Sequence, residues 1–121
     1  MVSVSMLLAA VPAMAAQDAG GFECRYDGNQ QEMNACAVRD YRAADVALNL
    51  KYQAVMSALP AGERMALRKE QRAWLQRRDP ECKAEAKPSE GGSMWPLEYF
   101  GCMRAATERR TKELDQPKIA R

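Results

Sequence analysis

The sequence predicts an all-α protein: a small antiparallel bundle of about three helices, stapled by two disulfides. Three observations support this fold class. Apolar residues recur at helical spacing in three segments, and the mature part of the chain has no Val/Ile-rich alternation of the kind that strands show. The chain also has four cysteines and no histidine. Without the apolar N-terminus, about 105 residues remain, enough for one domain with a modest core.

The first predicted helix begins near Asn29, because Asn29 and Glu32 have the spacing of a capping box. A stripe of apolar residues then repeats every three or four positions, as on one face of a helix. The stripe consists of Met33, Ala37, Tyr41, Ala44, Leu48, Tyr52, Val55 and Leu59. The sequence Pro60-Ala61-Gly62 is predicted to end this helix.

A second helix is predicted from about Glu63 to Arg78, ending at Asp79-Pro80 because the residue before a proline avoids the α conformation. An irregular segment, 83–95, follows it, and a third helix is predicted from about Pro96 to Leu114. The expected inner positions of the second helix are Met65, Leu67, Trp74 and Leu75. Those of the third helix are Leu97, Phe100, Met103 or Arg104, Thr107, Thr111 and Leu114.

The four cysteines are predicted to form disulfides. A zinc site usually has cysteines two to four residues apart or a supporting histidine, and a thiol nucleophile usually needs a base such as histidine. The cysteines are Cys24, Cys36, Cys82 and Cys102. Pairing them in sequential order closes the shorter loops and is preferred here, although four cysteines allow three connectivities. In an antiparallel bundle all four lie at one end.

Residues 1–16 are interpreted as a signal peptide, because they are almost entirely small or apolar and end in Ala13-Met14-Ala15, a small-x-small cleavage pattern. Its start is atypical or truncated, since no basic residue precedes Arg25. A disordered apolar tail or an amphipathic anchor is the alternative. Residues 17–121 would then form a single helical domain in the periplasm or outside the cell. No later segment has the ~20 apolar residues of a membrane span.

Composition argues against several functions. The 18 basic and 16 acidic residues give a net charge of only +2, without the basic stripe that nucleic-acid binding requires. Asp45 with Glu32 or Asp79 would be the carboxylate pair of a hydrolase, but no histidine, nucleophile motif or metal-ligand spacing accompanies them. We therefore predict no enzyme activity and no cofactor. A partly buried polar network that joins the helices is predicted instead, from Asp45, Asn49, Arg72, Arg78, Asp79 and Arg110.

Several segments together resemble the LprI-type lysozyme-inhibitor domain family. They are Gln31-Glu32-Met33-Asn34-Ala35-Cys36-Ala37, the spaced Tyr41, Ala44-Asp45, Leu48-Asn49 and Tyr52, the stretch Gln71-Arg72-Ala73-Trp74-Leu75 with Arg78-Asp79 and Cys82, and the block from Gly91-Gly92-Ser93 to Cys102 with Thr107 and Arg110. The resemblance covers roughly residues 24–114. It implies a helical, disulfide-bonded binding domain outside the cytoplasm that is not an enzyme, with non-covalent inhibition of lysozyme as its activity.

A partner-binding loop is predicted in segment 83–95, because its length, glycines and Pro88 suit a loop that enters a cleft. Vertebrate lysozymes are strongly basic and this chain is slightly basic, so inhibition needs a local acidic patch or such a plug. The candidate contact residues are Glu85, Ser89, Glu90, Met94 and Trp95. In the alternative, Trp95 folds back over the Cys102 end as a lid, and the protein is a cell-envelope interaction domain with another partner. The sequence leaves the oligomeric state open.

Overall fold

A computed structural model describes residues 22–116, and the predicted signal peptide lies outside this range. The described chain forms helices α1 (Gln30–Ala58), α2 (Ala61–Ala86) and α3 (Trp95–Leu114), with a short 3-10 helix at Lys87–Ser89. Residues 22–116 contain no strand, and the all-α prediction is confirmed. None of the helices in this range is long and apolar enough to cross a membrane.

Helix α1 begins as predicted, at a complete capping box. The Asn29 side chain accepts a hydrogen bond from the Glu32 amide at 2.9 Å, and the Glu32 carboxylate accepts one from the Asn29 amide at 3.1 Å. These two bonds satisfy amides that the first turn of a helix leaves without partners. The helix ends before Pro60, with Leu59 in an extended conformation. The predicted stripe faces inward, and Ala37, Ala44 and Leu48 are buried on it.

Helix α2 is longer than predicted, and the predicted end at Asp79-Pro80 is wrong. The helix continues through Pro80 to Ala86, so Cys82 lies inside it rather than after it. Proline lacks the amide that would bond to the carbonyl four residues back, and this costs roughly 3 kcal/mol. Cys82 and Ala86 are each only 1% exposed and pack against α3. Burial of this last turn against α3 offsets the local cost of the proline.

The inner face of α2 also differs from the prediction at two positions. Met65 and Leu75 are 68% and 43% exposed, so neither belongs to the core. The buried residues recur every three to four positions with Trp74 half-buried between them, and they are Leu67, Gln71, Arg78, Cys82 and Ala86. Two of these side chains are polar, which a search for apolar periodicity alone passes over.

The two ends of the bundle carry different core clusters. We call the end where α1 begins, α2 ends and α3 begins the disulfide end, and the opposite end the turn end. The cluster at the disulfide end contains Cys82, Ala86, Tyr99 and Met103, with Tyr41, Trp95, Phe100 and Cys102 packed around it. The cluster at the turn end contains Leu48, Leu67 and Leu114, with Tyr52, Val55, Met56, Leu59 and Trp74 packed around it.

Both disulfides have the sequential pairing that the sequence favours, and the prediction is confirmed. Cys24 bonds to Cys36 and holds the segment before α1 against its second turn. Cys82 bonds to Cys102 and joins α2 to α3. Helix α3 packs against both α1 and α2. The two covalent links therefore hold the disulfide end, where the loop between α2 and α3 is also located.

Candidate functional site

A buried arginine joins the three helices between the two core clusters. Arg78 on α2 is 8% exposed. Its Nη1 donates to Asp45 of α1 at 3.2 Å and to the hydroxyl of Thr107 on α3 at 3.3 Å, while its Nε donates to Asp79 at 3.0 Å. Burial opposes the charge, but the hydrogen bonds to Asp79 and Asp45 favour it, and the pKa of Arg78 lies above its usual value.

Aromatic rings complete the surroundings of this arginine. The guanidinium carbon of Arg78 lies 5.4 Å from the centre of the Tyr41 ring and 5.2 Å from that of Trp74. Arg110 of α3 lies 6.0 Å from the same tryptophan ring. Trp74 thus contacts both cations, and cation–π attraction adds to the ion pairs.

Arg110 forms the second half of this polar layer. It is 4% exposed, and its Nε donates to the Gln71 carbonyl oxygen at 2.8 Å. Its Nη1 donates to Glu70 and Glu113, each at 3.1 Å. Its Nη2 is buried and has no partner among the described residues.

The six polar residues predicted as one network occupy two places. Asp45 and Asp79 both pair with Arg78. Arg110 belongs to the same layer, because it contacts the Trp74 ring that Arg78 also contacts. Asn49 and Arg72 lie outside this layer: both are exposed and line an open groove of about 230 Å³ between α1 and α2. The other residues lining this groove are Tyr52, Arg68, Gln71 and Leu75.

The carboxylates considered for acid–base chemistry all have structural contacts. Asp45 and Asp79 both bind Arg78, and Glu32 caps α1. No group of three histidine, cysteine or acidic side chains within residues 22–116 is arranged to hold a metal ion. Through Arg78, the polar layer links the three helices.

The predicted loop 83–95 is shorter than expected, because residues 83–86 belong to α2 and Trp95 begins α3. Glu85 therefore lies on α2, where its carboxylate is 3.1 Å from the sulfur of Cys102. The connection itself is Lys87–Met94, which we call the α2–α3 loop. It contains the 3-10 helix, and it turns at Gly91, whose φ of 82° is rarely adopted by residues with a side chain.

Hydrogen bonds hold the α2–α3 loop in place. The amide of Glu90 donates to the carbonyl of Lys87 at 3.0 Å, and that of Gly92 donates to Ser89 at 2.9 Å. The Ser89 hydroxyl donates to the carboxylate of Glu98 on α3. The side-chain amide of Asn34 on α1 donates to the carbonyl of Ser93 at 2.8 Å. The loop is therefore tied to both neighbouring helices.

The two apolar residues at the end of the segment have different surroundings. Trp95 is half-buried and stacks on Tyr99, with ring centres 4.6 Å apart and an angle of 9° between the ring planes. It packs around the same cluster as Cys102, which is the position expected of a lid over the Cys102 end. Met94 is 49% exposed, and Glu90 is also exposed. Beside them an open groove of about 420 Å³ is lined by Lys83, Ala84, Lys87, Glu90 and Trp95.

Sequence reasoning missed Gln71 as a site residue. It belongs to the buried face of α2 and lines the groove at the same time. Counting back from Cys82 in helical steps through Arg78 and Trp74 reaches Gln71 and not Arg72. The same helical steps connect Gln71 to Leu67, but the predicted inner face also included the exposed Met65 and Leu75 and so was turned toward Arg72.

Comparison with known proteins identifies a family and a relative of this chain. The family described as "Lysozyme inhibitor LprI" matches residues 23–114. An uncharacterized protein, R02472, of Rhizobium meliloti (strain 1021) is 38% identical over 107 residues, which cover 78% of this chain and 77% of the relative. No solved structure matches significantly. The matching family is one of inhibitors rather than enzymes. Since the match covers all three described helices and both disulfides, this chain belongs to the LprI family of lysozyme inhibitors.

Proposed function

We propose that this protein is a periplasmic or secreted binding protein that inhibits lysozyme non-covalently, and that the α2–α3 loop makes the contact. The observation that carries the proposal is the family match over residues 23–114. The geometry of the α2–α3 loop favours this loop, among the exposed surfaces, as the contact surface. The loop combines exposed side chains with a backbone that is held on both sides.

A loop that is ordered before binding loses less conformational entropy when a partner immobilises it. Asn34 and Glu98 hold the α2–α3 loop from α1 and α3, and the Cys82–Cys102 disulfide lies at its base. Its exposed tip contains Gly91 and Gly92, whose lack of side chains keeps the tip narrow. A narrow and ordered tip suits a concave enzyme cleft.

The charges near the loop are mixed. Glu90 lines the same groove as Lys83 and Lys87, so the loop offers a strongly basic lysozyme a single carboxylate within a near-neutral surface. Long-range steering between the proteins is then weak, and we expect the association rate to depend little on salt. Met94 supplies exposed apolar surface next to this carboxylate.

The test is a titration of the oxidised protein into lysozymes of different classes, with bacterial cell-wall lysis and direct binding measured together. Met94→Ala is compared with Met65→Ala, the same change at an exposed methionine on the first turns of α2, at the turn end. We expect one-to-one binding that Met94→Ala weakens about tenfold and Met65→Ala leaves unchanged, as for a central contact residue. Inhibition that survives Met94→Ala together with Glu90→Gln would exclude the loop, and a folded protein that binds no lysozyme would exclude the activity.

The periplasmic or secreted location is proposed from the cysteines. Both Cys36 and Cys82 are buried in disulfides, and such bonds persist in oxidising compartments. Fractionation of the source cells, with thiol labelling of each fraction, tests this. We expect the protein outside the cytoplasm with no free thiol, and a reduced cytoplasmic pool as the main form would contradict the proposal.

The alternative is an interaction domain of the cell envelope with a different partner. It is favoured by Val46 and Leu50, which are one turn apart and exposed on the outer face of α1. A protein of this kind would bind its partner through that face and leave lysozyme activity unchanged. Replacing both residues with serine separates the two functions, since lysozyme binding through the α2–α3 loop does not involve α1 at these positions.

A further inference from the structure

We propose that the groove between α1 and α2 is a binding site for carboxylates of an acidic peptide segment on a partner protein. The groove is lined by Asn49, Tyr52, Arg68, Gln71, Arg72 and Leu75. It is separate from the α2–α3 loop, since Leu75 and Lys87 are about 18 Å apart along the helix axis at 1.5 Å per residue. The proposal goes beyond lysozyme inhibition and does not depend on it.

The orientation of Gln71 is the first argument. This side chain is 6% exposed, and its oxygen accepts the hydrogen bond from Arg110 Nε at 2.8 Å. A guanidinium can only donate, so the amide oxygen must face Arg110 and the amide nitrogen must face away from it. No group within residues 22–116 accepts a hydrogen bond from that nitrogen, and Gln71 lines the groove. This nitrogen is not buried, so its two N–H donors open onto the groove and are available to a ligand.

The two arginines are the second argument. Arg68 and Arg72 are four residues apart on α2, and neither has a carboxylate partner among the described residues. Residues at this spacing lie about 6 Å apart on one helix face. A guanidinium matches a carboxylate with two parallel hydrogen bonds, so this pair favours planar carboxylates.

The composition of the opposite wall is the third argument. Residues 46–62, the second half of α1 and the turn after it, contain no aspartate or glutamate. The only charged residue among them, Lys51, is paired with Asp115 of α3 at 2.6 Å. The groove thus has several donors and no carboxylate to compete for them. Asn49 can bond to the backbone of a bound segment, and Tyr52 with Leu75 offers apolar surface beside it.

The experiment measures binding of a short peptide with alternating glutamates and leucines to the ¹⁵N-labelled, oxidised protein. The side-chain amide signal of Gln71, identified by its absence in Gln71→Met, reports on the groove itself. We expect this signal to shift on titration, and we expect Arg72→Gln to weaken binding about tenfold, as loss of a charge-assisted hydrogen-bond pair does. Arg72→Lys keeps the charge but loses the paired geometry, and an intermediate affinity is expected.

Arg109→Gln is the matched control, because it removes the same charge from an exposed arginine on α3. Equal weakening by Arg72→Gln and Arg109→Gln would mean diffuse attraction and overturn the proposal. Equal binding of a peptide with glutamine in place of glutamate would overturn the carboxylate as ligand.

A shift of the Gln71 signal with inorganic phosphate alone, and none with the peptide, would overturn the acidic segment as the source of the carboxylates. Loss of lysozyme inhibition in Met94→Ala with unchanged peptide binding would separate this site from the loop.

Discussion

At the disulfide end, Cys82 and Ala86 of α2 pack against an aromatic group on α3, and two covalent links close the structure. At the turn end, Leu48, Leu67 and Leu114 meet from the three helices with no crosslink. The buried cations Arg78 and Arg110 lie between these clusters. Each end is therefore stabilised by a different interaction, and the α2–α3 loop lies at the end whose geometry does not depend on apolar packing alone.

The difference between a crosslinked end and an end held by apolar packing indicates where the protein tolerates substitutions. Aliphatic packing is sensitive to the volume of single side chains, whereas a crosslink acts mainly on the unfolded chain by restricting its conformations. A loop next to a crosslink keeps its ends at a fixed separation even when a nearby contact is lost. Substitutions in each region test this comparison.

The largest expected effect is at the turn end, from Leu48→Ala. Leu48 is 1% exposed at the meeting point of the three helices, so its truncation leaves a cavity. We expect the free energy of unfolding to fall by about 3.5 kcal/mol, as for other fully buried leucines. Leu50→Ala is the control, since Leu50 is on the same helix but 62% exposed, and it should change stability by less than about 0.5 kcal/mol. Urea unfolding followed by circular dichroism measures both, and equal effects would mean that the turn end lacks a tight core.

At the disulfide end, the double change Cys82→Ala with Cys102→Ala removes the crosslink between α2 and α3. The bond spans 20 positions, and the chain-entropy model gives a loss of about 3 kcal/mol. We expect the loss in urea unfolding and also faster amide hydrogen exchange in the α2–α3 loop. A stability loss without faster exchange in the loop would show that hydrogen bonds, and not the disulfide, fix the loop.

In the polar layer, Arg78→Met keeps an apolar stem and removes the contacts to Asp45, Asp79 and Thr107. Both aspartates are partly exposed and regain water, which moderates the penalty, and we expect a loss of about 2 kcal/mol. The control is Arg77→Met, a neighbouring exposed arginine, for which we expect less than about 0.5 kcal/mol. Thermal unfolding of both variants is the measurement. No difference between them would mean that Arg78 sets helix register without net stabilisation.

The parts of this fold that local rules determine could be predicted from the sequence. Asn29 with Glu32 placed the start of α1, and the apolar stripe placed its inner face, because caps and periodicity act within a few residues. The end of α2 could not be placed in this way. The effect of Pro80 is local and visible in the sequence, whereas the burial of Cys82 and Ala86 that outweighs it depends on α3.

The candidate site was harder to predict for a related reason. Arg72 is one position from Gln71, and a step of one residue turns a helix by about 100°, from the core to the surface. The predicted inner face of α2 included Met65 and Leu75, which are exposed and lie on the same side of the helix as Arg72, and Arg72 was therefore placed in the buried network. The conformation of the α2–α3 loop depends on hydrogen bonds to Asn34 and Glu98, far away in sequence or in the next helix, which composition does not reveal.

The smallest expected effect is an alkaline one and concerns the disulfide end. Burial raises the pKa of Tyr41 and of Tyr99, with nearby Asp79 adding to the rise and Arg78 opposing it. Because the folded pKa values exceed the unfolded value of about 10, these groups contribute stability that is complete below about pH 10 and is lost as the pH rises through the folded values. Urea unfolding at about pH 9 and about pH 11 should show this fall, and Tyr41→Phe with Tyr99→Phe should make it shallower. An unchanged fall in that variant would assign the alkaline loss to groups other than this pair, such as Tyr26, whose pKa is raised by the hydrogen bond that it donates to Asp40.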